Sequence, residues 1–259
     1  GNNNNGADYQ GSMADFLMLV IVDKTENTYS FLQFNRDTMT EVALIDHNGE
    51  GEATANIQLC TAHWYGGNRE QSCENTVKSV KKLLGGIQID GYYELNMSEI
   101  PKLNNMVDGV TVTLEDDFSK KYPKMKKGAT INLDDEQAYA YVHDRYGVGD
   151  EENTSRMKRQ QQYMTGFFKK LQEKVKANPN YANEVFESLQ DVSTTDITIG
   201  KISNISNIFA SGTDKGIFEL AGKSKIGQAL GDEIDHMEFY VNKKAMVSTM
   251  SELFGIVEQ

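Results

Sequence analysis

The chain is short of cysteine, proline, basic charge and long apolar runs, and each shortage excludes something. Its 259 residues hold two cysteines, three prolines and four histidines. Two thiols at the spacing of Cys60 and Cys73, with so few histidines, do not make a zinc site. Three prolines leave no Pro-rich linker to divide the chain, so residues 12–259 read as one domain. No run reaches the roughly 18 apolar residues that span a bilayer. FLMLVIV, residues 16–22, is too short and reads as a strand buried on both faces. No signal peptide is visible, and GNNNNGADYQG, residues 1–11, reads as a flexible segment outside the domain. Lysine and arginine number 26 against 38 acidic residues, a formal net charge of −12. That balance argues against a general nucleic-acid binder, which needs basic surface to displace counterions from phosphates. It leaves room for a local basic pocket around one anionic ligand.

The two cysteines bracket CTAHWYGGNREQSC, rich in glycine and polar residues, which predicts a loop whose ends meet. A Cys60–Cys73 disulfide there would contribute about 3 kcal/mol by loop closure and point to an oxidising, extracytoplasmic setting. Two unrelated buried thiols in a cytosolic protein are the alternative. Trp64 and Tyr65 within this segment read either as a packing pair or as the lining of a groove for an apolar chain.

Hydrophobic residues make up 39% of the chain and aromatics 9%, enough for a buried core. ADFLMLVIVDKTENTYSFLQF reads as two strands joined by a polar turn. SCENTVKSVKKLLGG reads as a helix capped by Ser72, with Val77, Val80, Leu83 and Leu84 on one face and Gly85-Gly86 at its end. IDGYYELNM and GVTVTLE read as strands around a short helical SEIPKLNNMV. LDDEQAYAYVHDR is a helix with an acidic first turn. TSRMKRQQQYMTGFFKKLQEKVKA is the longest helix, burying Met157, Tyr163 or Met164, Phe167 or Phe168, and Leu171. Helices over NPNYANEVFESLQDV and ITIGKISNISNIFASG, strands at IFELAG and MEFYVN, and a helix over KAMVSTMSELFGIVE complete the chain. Strands alternating with helices predict an α/β fold, a central mixed sheet covered on both faces.

Chemistry concentrates in two places. NRDT, residues 35–38, ends the second strand; if the first two strands form an antiparallel hairpin, Asp15 lies beside Arg36 and Asp37. An Asp beside an Arg on one sheet edge suits a divalent cation and a phosphate together; a surface ion pair closing a turn is the plainer reading. HDRYGVGDEENTSRMKRQQQ, residues 143–162, gathers Arg145, Arg156 and Arg159 around a glycine-broken turn in an acidic chain. Arg156 and Arg159 stand three apart on a helix, near an N-terminus where the macrodipole favours anions. A lone Arg there opposes the dipole unless an anion is bound. Three converging guanidiniums suit diphosphate; a solvated charged face is the plainer alternative. GKS at 222–224 lacks the spacing of a phosphate loop, there is no G-x-S-x-G or H-E-x-x-H, and His63, His143 and His236 are scattered.

In order along the chain, ADFLMLVIVD, QFNRDTMTEV, AHWYGG, CENTVKSVKKLLGGIQIDGYYELN, LNNMVDGVTV, AYAYVHDR and GDEENTSRMKRQQQYM resemble the LytR-CpsA-Psr family of cell-wall enzymes. The resemblance is clear over roughly residues 12–165 and loose beyond. The family's Asp falls on Asp15, its R-D-T on Arg36-Asp37-Thr38, its V-D-G-V on residues 107–110. Its R-x-R falls on His143 and Arg145, and its D…R-x-x-R-Q on Asp150, Arg156, Arg159 and Gln160.

The resemblance implies a single α/β/α domain with an apolar tunnel for a lipid, membrane-anchored through an N-terminal segment and facing outside the cytoplasm. It implies a phosphotransferase that moves a glycopolymer, of teichoic acid or capsule type, from a polyprenyl diphosphate carrier to peptidoglycan through a phosphodiester. Arg36, Arg145, Asp150, Arg156, Arg159 and Gln160 would meet the diphosphate, Asp15 would hold Mg²⁺, and Asp37 is a candidate to orient or deprotonate the acceptor hydroxyl. Two family arginines are replaced, by His143 and by Met13. The family's opening strand, with a further Asp for the metal, is not visible upstream, and Asp8 is not assigned in its place. These departures keep a binding or regulatory module of the same fold as the alternative to an active transferase. A third reading, a cytoplasmic regulator, conflicts with the acidic charge.

Overall fold

A computed structural model describes residues 11–255; Asp8 and the rest of the segment 1–10 lie outside them. β1 (Leu17–Asp23) and β2 (Thr28–Phe34) form the expected antiparallel hairpin, paired Leu17 to Phe34 and Asp23 to Thr28. β2 also pairs in parallel with β9 (Thr213–Glu219), so the central sheet is mixed, in the order β1-β2-β9.

The pleat of β2 sends alternate side chains to opposite faces, and each face has its own cover. Leu32 and Phe34 pack into a cluster with Val80 and Leu84 of α1 (Arg69–Leu83) and its end, and with Met246 and Met250 of α7 (Lys243–Phe254). On the other face Phe31 stacks on Phe168 of α4 (Asn153–Ala177), centroids 4.2 Å apart. Tyr29 meets Phe209 of α6 (Ile199–Ser211) at 4.9 Å. The sheet is thus the middle layer of an α/β/α arrangement. β1 is less buried than FLMLVIV suggests: its residues are half-buried and Val20 is 50% exposed. Among the described residues it has a partner on one side only.

Short paired strands surround this centre. β3 (Met39–Ala43) pairs with β4 (Thr54–Gln58), β5 (Tyr93–Leu95) with β8 (Ser193–Thr195), and β6 (Thr111–Thr113) with β7 (Thr130–Asn132). β10 (Gly222–Gly227), which includes the GKS stretch, pairs with β11 (His236–Val241). α2 (Ile100–Met106), α3 (Asp135–His143) and α5 (Tyr181–Ser188) complete the fold. α3 opens with a capping box between Asp134 and Gln137, two backbone donors satisfied reciprocally. A second apolar cluster, including Val110, Leu114, Phe118, Met125 and Tyr141, takes Tyr163 and Phe167 from α4, with Met164 and Leu171 packed against it.

The α1 start differs from the expectation at Ser72. Asn68 is the cap, accepting from Gln71 N at 2.8 Å, and Ser72 is buried within the helix. Its end follows the sequence: Gly85 and Gly86 adopt φ of 76° and 90°, and their amides return to Lys82 and Lys81, a termination glycine favours because it adopts positive φ without a Cβ clash.

The predicted Cys60–Cys73 disulfide is absent, and both thiols are free and buried. The expected loop shrinks to residues 64–68, because a 3-10 turn holds Leu59–His63 and α1 begins at Arg69. Cys60 faces the Arg36 guanidinium, whereas Cys73 Sγ lies 3.9 Å from His63 Nε2. Tyr65 packs into a small cluster with Val42 and Ile57, while Trp64 stays 53% exposed. No helix among the described residues is long and apolar enough to cross a membrane.

Candidate active site

The site forms where the open end of the β1–β2 hairpin meets the first turns of α4. Beyond Phe34, Asn35 turns the chain: its Oδ1 accepts from Asp37 N at 2.9 Å, and its carbonyl from Thr38 N at 3.0 Å. An Asx turn of this kind replaces the strand's ladder bonds. Cys60 N donates to Arg36 O at 2.9 Å, and Cys60 O accepts from Ala14 N at 3.1 Å. The two backbone groups of Cys60 thereby brace both sides of the site.

Extending the hairpin register by two residues places Asp15 opposite Arg36, and Arg36 Nη1 bonds Asp15 Oδ1. Arg36 Nη2 lies 3.2 Å from Met13 Sδ. From α4, Arg156 Nη1 reaches the same Asp15 Oδ1 at 3.2 Å. Arg156 is 5% exposed, and neither its Nε nor that of Arg36 has a hydrogen-bond partner among the described residues, although Arg36 Nε lies 3.9 Å from Asp37 Oδ1. Asn153 bridges the two halves. Its Nδ2 donates to Asn35 Oδ1 at 3.2 Å and Asp37 Oδ2 at 3.3 Å, and its Oδ1 accepts from Arg156 Nη2 at 2.8 Å.

Electrostatics follow from this crowding. Burial raises the Asp37 carboxyl above its ordinary value, against the pull of Arg36, Arg156 and Arg145. Arg156 is pushed down by burial and, more weakly, by the like charges of Arg36 and Arg145, against the attraction of Asp15. Two guanidiniums thus face two carboxylates, and Arg145, whose guanidinium bonds the Tyr146 hydroxyl and lies 4.6 Å from its ring centroid, adds a third positive charge nearby, in a chain of net charge −12. α4 begins with no side-chain cap on its first turn, so unpaired amides add to the positive field.

Not every predicted residue joins the cluster. Arg159 is 1% exposed and turns away: Nη1 donates to Tyr141 O at 2.6 Å, Nη2 to Asp144 O at 2.7 Å, and Nε lies 3.1 Å from Asp116 Oδ2. It clamps the end of α3 to the chain after β6. Gln160 is also buried, donating to Val142 O at 3.1 Å and accepting from Gln33 at 3.3 Å. Asp150 is exposed in the turn before α4, where it accepts from Glu152 N at 2.9 Å and Ser155 Oγ at 2.8 Å; it orients the turn without touching an arginine. His143 stacks on Tyr139 at 4.7 Å and lies 3.2 Å from Asp144. Asn153 escaped sequence reasoning; its one signal was an amide side chain at a helix start.

Asp15 and Asp37 offer hard oxygen donors of the kind Mg²⁺ takes. Among the described residues no three or more His, Cys, Asp or Glu gather to hold an ion. An ion held here would have to take most of its shell from phosphate oxygens and water.

The model of the LytR_cpsA_psr family matches residues 4–254. A curated relative from Bacillus cereus (strain AH820), polyisoprenyl-teichoic acid–peptidoglycan teichoic acid transferase TagU, is 29% identical over 168 residues, 64% of this chain and 50% of its own length. The match thus spans about half of that relative. B. subtilis TagV has a similar fold, with a TM-score of 0.70, 21% identity and coverage of 96% of this chain and 92% of its own. TagT bound to LI-WTA aligns at a TM-score of 0.68, 20% identity, and 94% and 84% coverage.

Proposed function

The chain belongs to the LytR-CpsA-Psr family, and on that premise we propose that it is a phosphotransferase acting on a glycopolymer linked to polyprenyl diphosphate. The polymer is of teichoic acid class and the acceptor is peptidoglycan. The setting we propose is the extracytoplasmic face of the membrane, where lipid carrier and acceptor meet. The observation that carries this reading is the convergence of Arg36 and Arg156 on Asp15, beside Asp37, at an uncapped helix start, with the charge of Arg145 close enough to act on Asp37.

Cleaving a diphosphate needs charge neutralisation and positioning more than covalent work by the protein. The acceptor hydroxyl oxygen bonds to the phosphorus that bears the polymer; the bond from that phosphorus to the bridging oxygen breaks, and polyprenyl phosphate leaves. Arg36, Arg145 and Arg156 stabilise charge on the phosphoryl oxygens and the leaving phosphate. Asp37 accepts the hydroxyl proton. Its raised pKa makes it a stronger base than an exposed aspartate, and Asn153 keeps the carboxylate oriented. Asp15 would hold Mg²⁺, which supplies Lewis-acid stabilisation of the phosphate oxygens when bound.

His143 and Met13, standing where the family pattern has arginine, favour a second reading in which the pocket holds the lipid-linked precursor without transferring it. A transfer assay with lipid-linked saccharide and peptidoglycan oligomers separates the two. Product that is lost in Asp37→Asn supports the transferase. Binding without product supports the holding module, and no binding at all overturns both.

A further inference from the structure

Five lysines, Lys120, Lys121, Lys124, Lys126 and Lys127, crowd into eight positions between β6 and β7, in a chain with only 26 basic residues. All five are exposed. The segment is nevertheless firmly held. Phe118 and Met125, 3% and 0% exposed, anchor it in the α4-side core. Phe118 N donates to Met125 O at 2.9 Å, Met125 N to Tyr122 O at 2.8 Å, and Gly128 N to Leu114 O at 2.7 Å. Like charges are therefore displayed from a braced loop, at a cost in mutual repulsion that a bound polyanion would relieve.

This loop borders the arginine pocket. Arg159 joins Asp116, at the loop's base, to the carbonyls of Tyr141 and Asp144, and its guanidinium lies 5.1 Å from the Phe118 ring centroid. Lys121 pairs with Asp144 at 3.2 Å, one residue before Arg145. Among the described residues Lys121 is the only one of the five in an ion pair. Asp117, whose carboxyl is held down first by Ser119, feels Lys126 and Lys120 only weakly. None of the protein's exposed large apolar side chains lies in the loop, which distinguishes it from a surface built to enter a bilayer.

We propose that residues 118–128 form a polyanion subsite that takes the phosphodiester backbone of the donor polymer while its diphosphate end lies in the arginine pocket. The proposal rests on the transferase reading above and adds where the repeat phosphates of that polymer are held. A neutral glycan would leave four lysines without a partner.

The test uses the full chain, wild type and a Lys120→Gln/Lys124→Gln/Lys126→Gln/Lys127→Gln variant, with Lys121 retained because it pairs with Asp144. The probes are a soluble oligo(glycerol phosphate), a lipid diphosphate carrying one neutral sugar, and phosphatidylglycerol vesicles. The variant should bind the oligo(glycerol phosphate) roughly tenfold or more weakly at low salt, with a flatter dependence of affinity on salt, as expected when phosphate contacts are lost. It should bind the lipid diphosphate like wild type, and the four-fold Lys→Arg variant should restore oligomer affinity. Unchanged oligomer affinity in the Gln variant, with lipid diphosphate binding intact, overturns the subsite alone. Loss of vesicle binding with oligomer affinity unchanged overturns it in favour of a membrane-facing loop. Failure of wild type to bind the lipid diphosphate removes the transferase reading, and the subsite with it.

Discussion

Arg156 Nη1 stands 3.2 Å from Asp15 Oδ1, an ion pair that joins the first turns of α4 to the foot of β1. Asp15 Oδ1 also receives Arg36, so one carboxylate oxygen keeps two guanidiniums together. In Asp15→Asn those cations face one another without their shared counter-charge. With Asp15 partly exposed, the loss should be roughly 2 kcal/mol, below the range for fully buried pairs. A double-mutant cycle with Arg156→Gln, followed by urea denaturation, should give a coupling of about 1 kcal/mol; strict additivity would mean the contact contributes nothing to stability.

Asp37 should give the protein a pH signature. Burial lifts its carboxyl above the ordinary 3.8 despite three neighbouring arginines. The folded state then holds the proton more tightly than the unfolded state. Stability from this group is fully present below 3.8 and is lost as pH rises through the folded value. The stability difference between wild type and Asp37→Asn should therefore fall across that window and level off above it. If Asp37 is the base, the acid limb of the wild-type transfer rate also lies above 3.8. A flat stability difference would show that burial does not dominate at Asp37.

Arg159 should matter for the fold rather than for the ligand directly. Arg159→Ala leaves the Tyr141 and Asp144 carbonyls and Asp116 without their buried partner. That should cost about 3 kcal/mol or more and lower Tm by on the order of 6–12 °C in a chain of this size. Arg159→Lys should recover little, since one ammonium cannot reproduce the fork. A Tm within a degree or two of wild type would contradict the clamp.

The hairpin and the long helix were legible because their signals are local. A polar turn between two apolar runs fixed the pairing that brings Asp15 to Arg36, and a 3.6-residue stripe placed Tyr163 and Phe167 inside. β3, β4, β7, β8 and β10 are short and mostly polar, and their pairing depends on partners distant in sequence or on a turn without a strong signal. Periodicity shows that Arg159 shares a helix with Arg156 but not which buried carbonyls it meets. Asn153 was missed because a terminal amide commonly caps its own helix, whereas here it reaches Asn35 and Asp37. The cysteine pairing failed because glycines between Cys60 and Cys73 hid an early helix start.

The thiols provide a separate check. Burial pushes Cys73 up to about 12 and raises Cys60 despite the nearby Arg36. A thiol reagent at pH 8 should find neither cysteine in the native protein and both after denaturation without reductant. Rapid labelling of the native protein would contradict the burial, and no labelling after denaturation would contradict the free thiols.

A diphosphate pocket formed by Arg36, Arg145 and Arg156 should be measurable by isothermal calorimetry with a short-chain polyprenyl diphosphate. Wild type should bind. Arg145→Ala, partly exposed and outside the structural ion pairs, should weaken binding by at least about tenfold, the loss of one charge-assisted contact. Arg156→Ala should weaken it further. Equal affinity in wild type and both variants, or no binding to wild type in the presence of Mg²⁺, would mean that these arginines do not form a diphosphate pocket.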